Sequence, residues 1–294
     1  MLIIPLVVGF GVGILSGLLG IGGGTLLVPV FKLGFAMESI VTTATSLFTV
    51  VITSISGTIS HLRAKTCLPA LGVAAGIGGA ITSTFGVYLA TISPEWLIMV
   101  VAAAIIVYSG VTMLRKAIAA KPAERKRANP VGEEAAADAE GQGSVTSGGE
   151  PTEGAPRVRS ESADDIHLTS RQLMIGAAIG VVAGVASGYV GVGGGFLMVP
   201  MFISLLKIPM KVTSGTSLLA IVILGIPSII YQAVLGNIDW VAGIAVGIGS
   251  IPGAIVGTKL LPRIPERKLR FLFAFILLVA AVMLVLNETG LFNG

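Results

Sequence analysis

Two stretches of this 294-residue chain are near copies of each other: GILSGLLGIGGGTLLVPVF at residues 13–31 and GVASGYVGVGGGFLMVPMF at residues 184–202. The match continues without a gap at a constant offset of 171 residues, so that VTTATSL at 41–47 meets VTSGTSL at 212–218. A repeat of this length in an apolar chain is typical of a duplicated transporter-type unit and not of a solenoid.

The composition indicates that lipid surrounds most of the chain. Hydrophobic residues make up 54% of the sequence, charged residues only 12%, and the mean hydropathy is +0.94. Soluble domains carry about 25% charged residues. The 40 glycines suit transmembrane helices that approach one another closely. The sequence therefore predicts an all-α polytopic membrane protein whose main partner is the lipid bilayer.

Each copy contains five hydrophobic segments. In copy one they lie near 1–19, 24–37, 39–60, 67–92 and 94–114, and in copy two near 171–190, 195–208, 210–233, 238–262 and 266–287. Four of the five are long enough to span a bilayer. The second segment gives roughly 21 Å of helix against a core of about 30 Å, which predicts a short broken or re-entrant helix after the glycine-rich break. Eight or ten passes are both compatible with this pattern.

The stretch between the copies differs sharply in composition. It is rich in Gly, Pro, Ser, Ala and Glu and has few large apolar residues. Such a segment cannot bury enough surface to fold alone, which predicts a disordered linker at 116–168 between membrane repeats at 1–115 and 169–294. The first segment lacks a basic leader and a cleavage site, so we expect a retained helix and not a signal peptide.

The charges in the loops predict how the two copies are oriented. Copy one places Arg63 and Lys65 in the loop after its third segment, whereas the equivalent loop of copy two carries only Asp239. The next loop has only Glu95 in copy one but a cluster of basic residues in copy two. Under the positive-inside rule, this reversal predicts inverted repeats, with the linker in the cytoplasm and both termini outside. It also explains the net charge of +4 without a nucleic-acid partner.

The two glycine runs are the strongest candidates for a binding site. They follow an apolar helix and not a strand, which excludes a dinucleotide-binding fingerprint. Three consecutive glycines break a helix, and the freed N–H groups at the start of the short arm can bind an anion. Tight helix packing is the alternative explanation. The candidate residues are Gly20, Gly22, Gly23, Gly24, Thr25, Gly191, Gly193, Gly194, Gly195 and Phe196.

A second set of candidates follows each glycine run. Thr45, Ser46, Thr216 and Ser217 have hydroxyls that can donate hydrogen bonds to an anion. The same hydroxyls can cap a helix or bond to the preceding turn, and both roles stay open. Ser16 and Ser187, just before the glycine runs, are weaker candidates.

The remaining polar residues favour structural roles. Glu95 and Glu266 each follow a proline, which is an ordinary helix start. The two histidines, His61 and His167, have no acidic partner or metal-binding spacing, and Cys67 cannot pair with another cysteine. The predicted spans have no Asp or Glu near their centres. The sequence therefore predicts no metal, no cofactor and no enzyme activity.

The paired runs GLLGIGGGTLLVP and GYVGVGGGFLMVP, each followed by Thr-Ser-Leu, resemble the TauE/SafE sulfite exporter family, also called the four-toluene sulfonate uptake permease family. The likeness covers both copies. It implies transport of small sulfur-containing anions, such as sulfite or organosulfonates, across the cytoplasmic membrane.

Export is the direction that the charges favour. Loss of an anion from a cell with a negative interior is downhill by about 2.3 kcal/mol per charge per 100 mV, so export needs no coupling ion. Uptake coupled to an ion is the alternative, and a membrane scaffold acting through the linker is a less favoured one. The sequence does not select among individual anions, coupling ions or oligomeric states.

Overall fold

The predicted hydrophobic segments are helical in the computed structural model, which describes residues 3–119 and 168–288. The described residues form ten α-helices and no strand. In copy one these are α1 (Ile3–Leu19), α2 (Gly24–Pro29), α3 (Ser39–Arg63), α4 (Pro69–Ile92) and α5 (Glu95–Ala119). In copy two they are α6 (Ser170–Val190), α7 (Gly195–Met201), α8 (Met210–Val234), α9 (Trp240–Leu260) and α10 (Glu266–Glu288).

Six of these helices are long and apolar enough to cross a membrane: α3, α4, α5, α6, α8 and α9. The sequence predicted eight spanning helices, and the two that fall short are the first and last. Helix α1 has 17 residues, and α10 begins with the charged sequence ERKLR. The all-helical, multi-pass prediction is confirmed at this level.

Local sequence sets where the helices begin and end. Thr169 and Gln172 form a capping box at the start of α6, and the Asp239 carboxylate accepts from Ala242 N at the start of α9. Pro69 occupies the first turn of α4, where a missing N–H costs nothing. Helix α5 continues to Ala119, four residues beyond the predicted end of copy one. Residues 120–167 of the predicted linker lie outside the described residues.

Helix α1 packs against α9 through glycines spaced four residues apart. A Cβ on Gly9, Gly13 or Gly17 would lie between 2.1 and 2.3 Å from a carbonyl oxygen of α9, those of Val246, Ser250 and Ala254 respectively. Only small residues permit such an approach between helices. The residue numbers of the contacting residues increase together along the two helices, so α1 and α9 run in the same direction.

Helix α4 packs against α6 in the equivalent way. Gly180, Gly184 and Gly188 of α6 approach the carbonyl oxygens of Ala75, Gly79 and Ser83 of α4, and this pair also runs in one direction. The first helix of each copy is therefore packed against the fourth helix of the other copy. The two copies interlock and do not form separate bodies.

Two other helix pairs join equivalent helices of the two copies. In the α3–α8 pair, Gly57 contacts Leu218 while Val51 contacts Gly225, so these helices run in opposite directions. In the α5–α10 pair, Gly110 contacts Leu277. Helix α3 also lies along α9, where Thr45 pairs with Asp239, Thr49 with Gly243 and Thr53 with Ser250, in the same direction.

Candidate functional site

The two glycine loops, residues 20–24 and 191–195, meet each other in the interior. A Cβ on Gly24 would lie 2.2 Å from the carbonyl oxygen of Val192, and one on Gly195 would lie 2.6 Å from that of Gly20. The loops are in direct backbone contact and are buried. The duplicated sequence feature therefore converges at one place.

Both loops use backbone conformations that favour glycine. The φ angles are +71°, +72° and +82° at Gly20, Gly22 and Gly23. The equivalent glycines, Gly191, Gly193 and Gly194, have φ angles of +73°, +87° and +70°. Other residues adopt this region only at a cost, so three left-handed glycines end α1 and α6 and turn the chain into the short arm.

The short arms α2 and α7 start directly after the loops. Each continues into a π-helical turn, Val30–Gly34 after α2 and Phe202–Leu206 after α7. Pro29 and Pro200 lie at these junctions, where a missing N–H removes one regular helical hydrogen bond. In copy one, α2 and its π turn together are about 16 Å long, which is roughly half the thickness of the hydrocarbon core of a bilayer.

The middles of α3 and α8 surround the loops. A Cβ on Gly22 would lie 2.8 Å from Val50 Cγ1 and 3.2 Å from Ile221 Cδ1, and one on Gly193 would lie 2.5 Å from Val50 Cγ1. Val50 and Ile221 lie near the centres of two 25-residue helices. The loops are therefore at mid-depth of the helical bundle.

Thr45 and Thr216 hold helix starts in the opposite copy. The Thr216 hydroxyl accepts from Leu68 N at 3.0 Å, just before α4, and donates to Val212 O at 2.8 Å. The Thr45 hydroxyl accepts from Asp239 N at 3.0 Å, just before α9. Both threonine hydroxyls therefore have a structural role, because each one accepts a hydrogen bond from the start of a helix in the other copy. No contact among the described residues points specifically to a binding role for them.

Ser46 and Ser217 occupy equivalent positions but differ in their bonds. Ser217 Oγ donates to Gly20 O at 2.7 Å and also lies 2.9 Å from Ser214 O. Ser46 Oγ is buried and has no hydrogen-bond partner. Ser217 is therefore bonded to the first glycine loop, whereas the equivalent hydroxyl of Ser46 makes no such bond.

Other buried hydroxyls without a hydrogen-bond partner lie beside the loops. They belong to Ser16, Thr25, Ser54 and Ser187. A Cβ on Gly22 would lie 3.2 Å from Ser54 Oγ, and one on Gly194 would lie 3.3 Å from Ser187 Cβ. An unpaired buried hydroxyl costs about 1–3 kcal/mol, which a bound acceptor such as an oxyanion would recover.

Sequence reasoning missed Ser54. Its counterpart in the second copy is Gly225, so a comparison of the two copies does not select this position. The Phe196 side chain is fully buried in the main apolar core. Of the two residues that follow the glycine runs, only Thr25 offers a hydroxyl.

A family model described as "Sulfite exporter TauE/SafE" matches residues 5–284. The chain belongs to the TauE/SafE family. The expected resemblance is confirmed, and the match includes both glycine loops, all ten helices almost entirely, and the linker between the copies.

Two curated relatives are similar to this TauE/SafE chain over most of their length, and a third over a short part. "Probable membrane transporter protein YunE" from Bacillus subtilis is 26% identical over 88% of this chain and 86% of its own. "Probable membrane transporter protein YdhB" from the same organism is 25% identical over 90% and 93%. "Sulfite exporter TauE/SafE family protein 3" from Arabidopsis thaliana is 36% identical over 21% and 13%. No solved structure matches.

Family membership and the six spanning helices make this chain a multi-pass membrane transporter. Its glycine loops carry no charged side chain. Among residues 3–119 and 168–288, no group of three His, Cys, Asp or Glu side chains is close enough to hold a metal ion. The polar groups of this TauE/SafE centre are thus backbone amides and hydroxyls.

His61 lies in the last turn of α3, and Cys67 lies in the connection that follows. His61 Nε2 is 2.9 Å from Gly17 O and its Nδ1 is 2.8 Å from Thr66 Oγ1, which ties the end of α3 to α1. Cys67 lies between α3 and α4, and burial raises the pKa of its thiol to about 12. Both side chains have structural contacts in this TauE/SafE protein.

Proposed function

We propose that this protein exports small sulfur-containing anions, such as sulfite or organosulfonates, and binds them between the two glycine loops. The observation that carries the proposal is the convergence of both loops with buried hydroxyls that have no hydrogen-bond partner. Hydroxyls and backbone N–H groups donate hydrogen bonds, as an oxyanion requires. Family membership supports the substrate class.

The proposed site contains the glycine-run residues and the Thr-Ser pairs selected from the sequence, together with Ser54. Ser46, Ser54 and Thr25 donate hydroxyls, while Thr45, Thr216 and Ser217 hold the surrounding backbone. Gly22, Gly23, Gly24, Gly193 and Gly194 supply amides, and Phe196 closes the apolar wall. The amides of Gly20, Gly191 and Gly195 already donate to backbone oxygens, so these three glycines shape the loops. The loops are buried in this conformation, so we expect a bound anion to reach them only after helices separate.

We further propose that the two copies are inverted repeats. Helices α3 and α8 are equivalent and run in opposite directions, and the register of the α1–α9 and α4–α6 pairs agrees with inversion. Inverted copies place two equivalent half-sites on either side of a pseudo-twofold axis.

Charge supports one orientation for these repeats. With inverted copies, the C-terminal ends of α3, α5 and α9 share one face with the N-terminal ends of α4, α6, α8 and α10. That face carries Arg63, Lys65, Arg115, Lys116, Arg171, Lys207, Lys211, Lys259, Arg263, Arg267, Lys268 and Arg270. The opposite face carries Lys32 as its described basic residue. Under the positive-inside rule the basic face is cytoplasmic, with the linker inside and both termini outside.

Export follows from the sign of the charge. A cytoplasmic basic face concentrates anions near the inner opening, and the negative interior drives them outward at about 2.3 kcal/mol per charge per 100 mV. No coupling ion is needed for this direction.

Flux from proteoliposomes tests the proposal. Vesicles loaded with sulfite receive an inside-negative potential from a potassium gradient with valinomycin, and sulfite release is compared with protein-free vesicles. We expect release that accelerates with the potential and carries negative charge outward. Release equal to that of protein-free vesicles would exclude sulfite, and transport that occurs only with an imposed sodium or proton gradient would indicate coupled uptake instead.

A further inference from the structure

Lys116 lies at the cytoplasmic-facing end of α5 in the orientation proposed above and reaches the second short arm. Its Nζ donates to Pro200 O at 2.9 Å, at the junction between α7 and the π turn, and it also contacts Ser204 Oγ. Pro200 lies five residues after the last glycine of the second loop. Lys116 thus places a positive charge against the arm that carries half of the proposed central site.

Helix α10 adds two more cations beside Lys116. Gly110 of α5 lies against Leu277 of α10, and because these helices run in opposite directions in the proposed topology, the same register brings Arg270 level with Lys116. Arg267 lies one turn earlier on α10 and stacks over Phe271, with its guanidinium carbon 5.5 Å from the ring centre. The Nε atoms of both arginines are buried without a hydrogen-bond partner. These two donors are groups that a bound acceptor would satisfy.

Glu266 pairs with only one of these three cations, Arg270. Its Oε1 accepts from Met210 N at 2.7 Å, and its Oε2 accepts from Arg270 Nη2 at 3.0 Å. Among the residues that the structure describes, it is the one acid at these helix ends. Three cations therefore face one carboxylate whose two oxygens are already bonded.

The repeat does not reproduce this cluster on the other side. The counterparts of Lys116 and Arg270, 171 residues away, are Asn287 and Met99. The cationic group is therefore a feature of one end of the molecule and not a consequence of the duplicated architecture.

We propose that Lys116, Arg267 and Arg270 form a second anion site, where a small oxyanion binds before it moves along α7 to the glycine loops. This inference rests on the proposed function. The same chemistry fits the phosphate of an acidic lipid headgroup, so the test separates the two sources. In this proposal Lys116 binds the anion, in addition to its hydrogen bond between α5 and α7.

The test measures initial sulfite transport by the full chain in phosphatidylcholine vesicles, with sulfite varied on the linker side. Removing one cation near the surface costs an anion about 1 kcal/mol, so Lys116→Gln should raise the half-saturating concentration about 5-fold and leave the maximum rate within about 2-fold. Lys116→Arg should restore it. Arg115→Gln is the matched control, because Arg115 is the exposed neighbouring cation, and it should change this concentration by less than about 2-fold.

Three results would overturn the proposal. Lys116→Gln could lower the maximum rate or the melting temperature and leave the half-saturating concentration unchanged. That result would give Lys116 a structural role only. An effect that appears only after phosphatidylglycerol is added would assign the site to a lipid headgroup. Absence of sulfite transport by the unaltered protein would reject the proposed function itself, and this site with it.

Discussion

Gly23 and Gly194 show most clearly what a single side chain would do in the loops. Gly23 has a φ of +82°, and a Cβ there would lie 2.4 Å from Val12 Cγ1; Gly194 has a φ of +70°, with a Cβ 3.0 Å from Ala183 O. We expect Gly23→Val and Gly194→Val to abolish sulfite transport while the chain still inserts into the membrane. Transport assays with purified, monodisperse variants check this.

Gly236 provides the control for those two variants. It also has a positive φ, +73°, but nothing lies within 4 Å of a Cβ built there. Gly236→Val therefore introduces backbone strain without crowding the centre, and it should keep its transport. If this variant lost transport as well, the effect at the loops would be general strain and not loss of a site.

Cys67 should be chemically inert in the folded protein. Its side chain is 5% exposed, and its pKa of about 12 keeps the thiol protonated at neutral and mildly alkaline pH. Because the thiolate is the reactive form, N-ethylmaleimide should modify Cys67 at pH 7.5 only after the protein is unfolded in detergent. Rapid modification of the folded transporter, followed by mass spectrometry, would show that the loop between α3 and α4 opens.

The backbone just before α4 and just before α9 donates a hydrogen bond to a threonine hydroxyl of the other copy. Loss of a helix cap costs about 0.5–2 kcal/mol, so Thr45→Ala and Thr216→Ala should lower the melting temperature without a comparable loss of sulfite affinity. Thr45→Ser and Thr216→Ser retain the hydroxyl and should melt close to the unaltered protein. A large loss of affinity with unchanged melting would instead make these threonines ligands.

The helices themselves were predictable from the sequence, and several of their contacts were not. Hydropathy and the glycine runs located α1 to α10 within about five residues when the π turns are counted with α2 and α7, because lipid exposure and helix breaking are local properties. The contact of Thr45 with Asp239 joins residues 194 positions apart, and no local pattern indicates it. Ser54 and Lys116 escaped because their counterparts, Gly225 and Asn287, lack matching groups.

The packing of the whole molecule departs from the simple picture of two adjoining repeats. The first helix of each copy lies against the fourth helix of the other copy. The glycines at these contacts are visible in the sequence, but the sequence does not show which helix each one contacts. The two copies are therefore joined through both of these helix pairs. Transport would therefore need a movement of shared helix pairs, and not a hinge between two independent halves.

The proposed topology is tested on the whole molecule with single cysteines. In a Cys67→Ser background, cysteines at positions 63, 140 and 267 should react with an impermeant reagent only from the cytoplasmic side, and one at position 38 only from outside. Labelling in oriented membrane vesicles makes the comparison. Reaction of positions 63 and 267 from opposite sides would contradict the inverted repeat.

Calorimetric titration with sulfite tests the central claim most directly, since that claim places the anion between the glycine loops. Ser46, Ser54 and Ser109 all have buried hydroxyls without a hydrogen-bond partner, but Ser109 lies on α5 beside Gly110, which packs against α10. A hydrogen bond to a charged ligand contributes about 1.5–3 kcal/mol, so Ser46→Ala and Ser54→Ala should weaken binding about 10- to 100-fold. Ser109→Ala should bind sulfite as the unaltered protein does. Equal affinity in all three variants, or an equal loss in all three, would contradict an anion site at the loops.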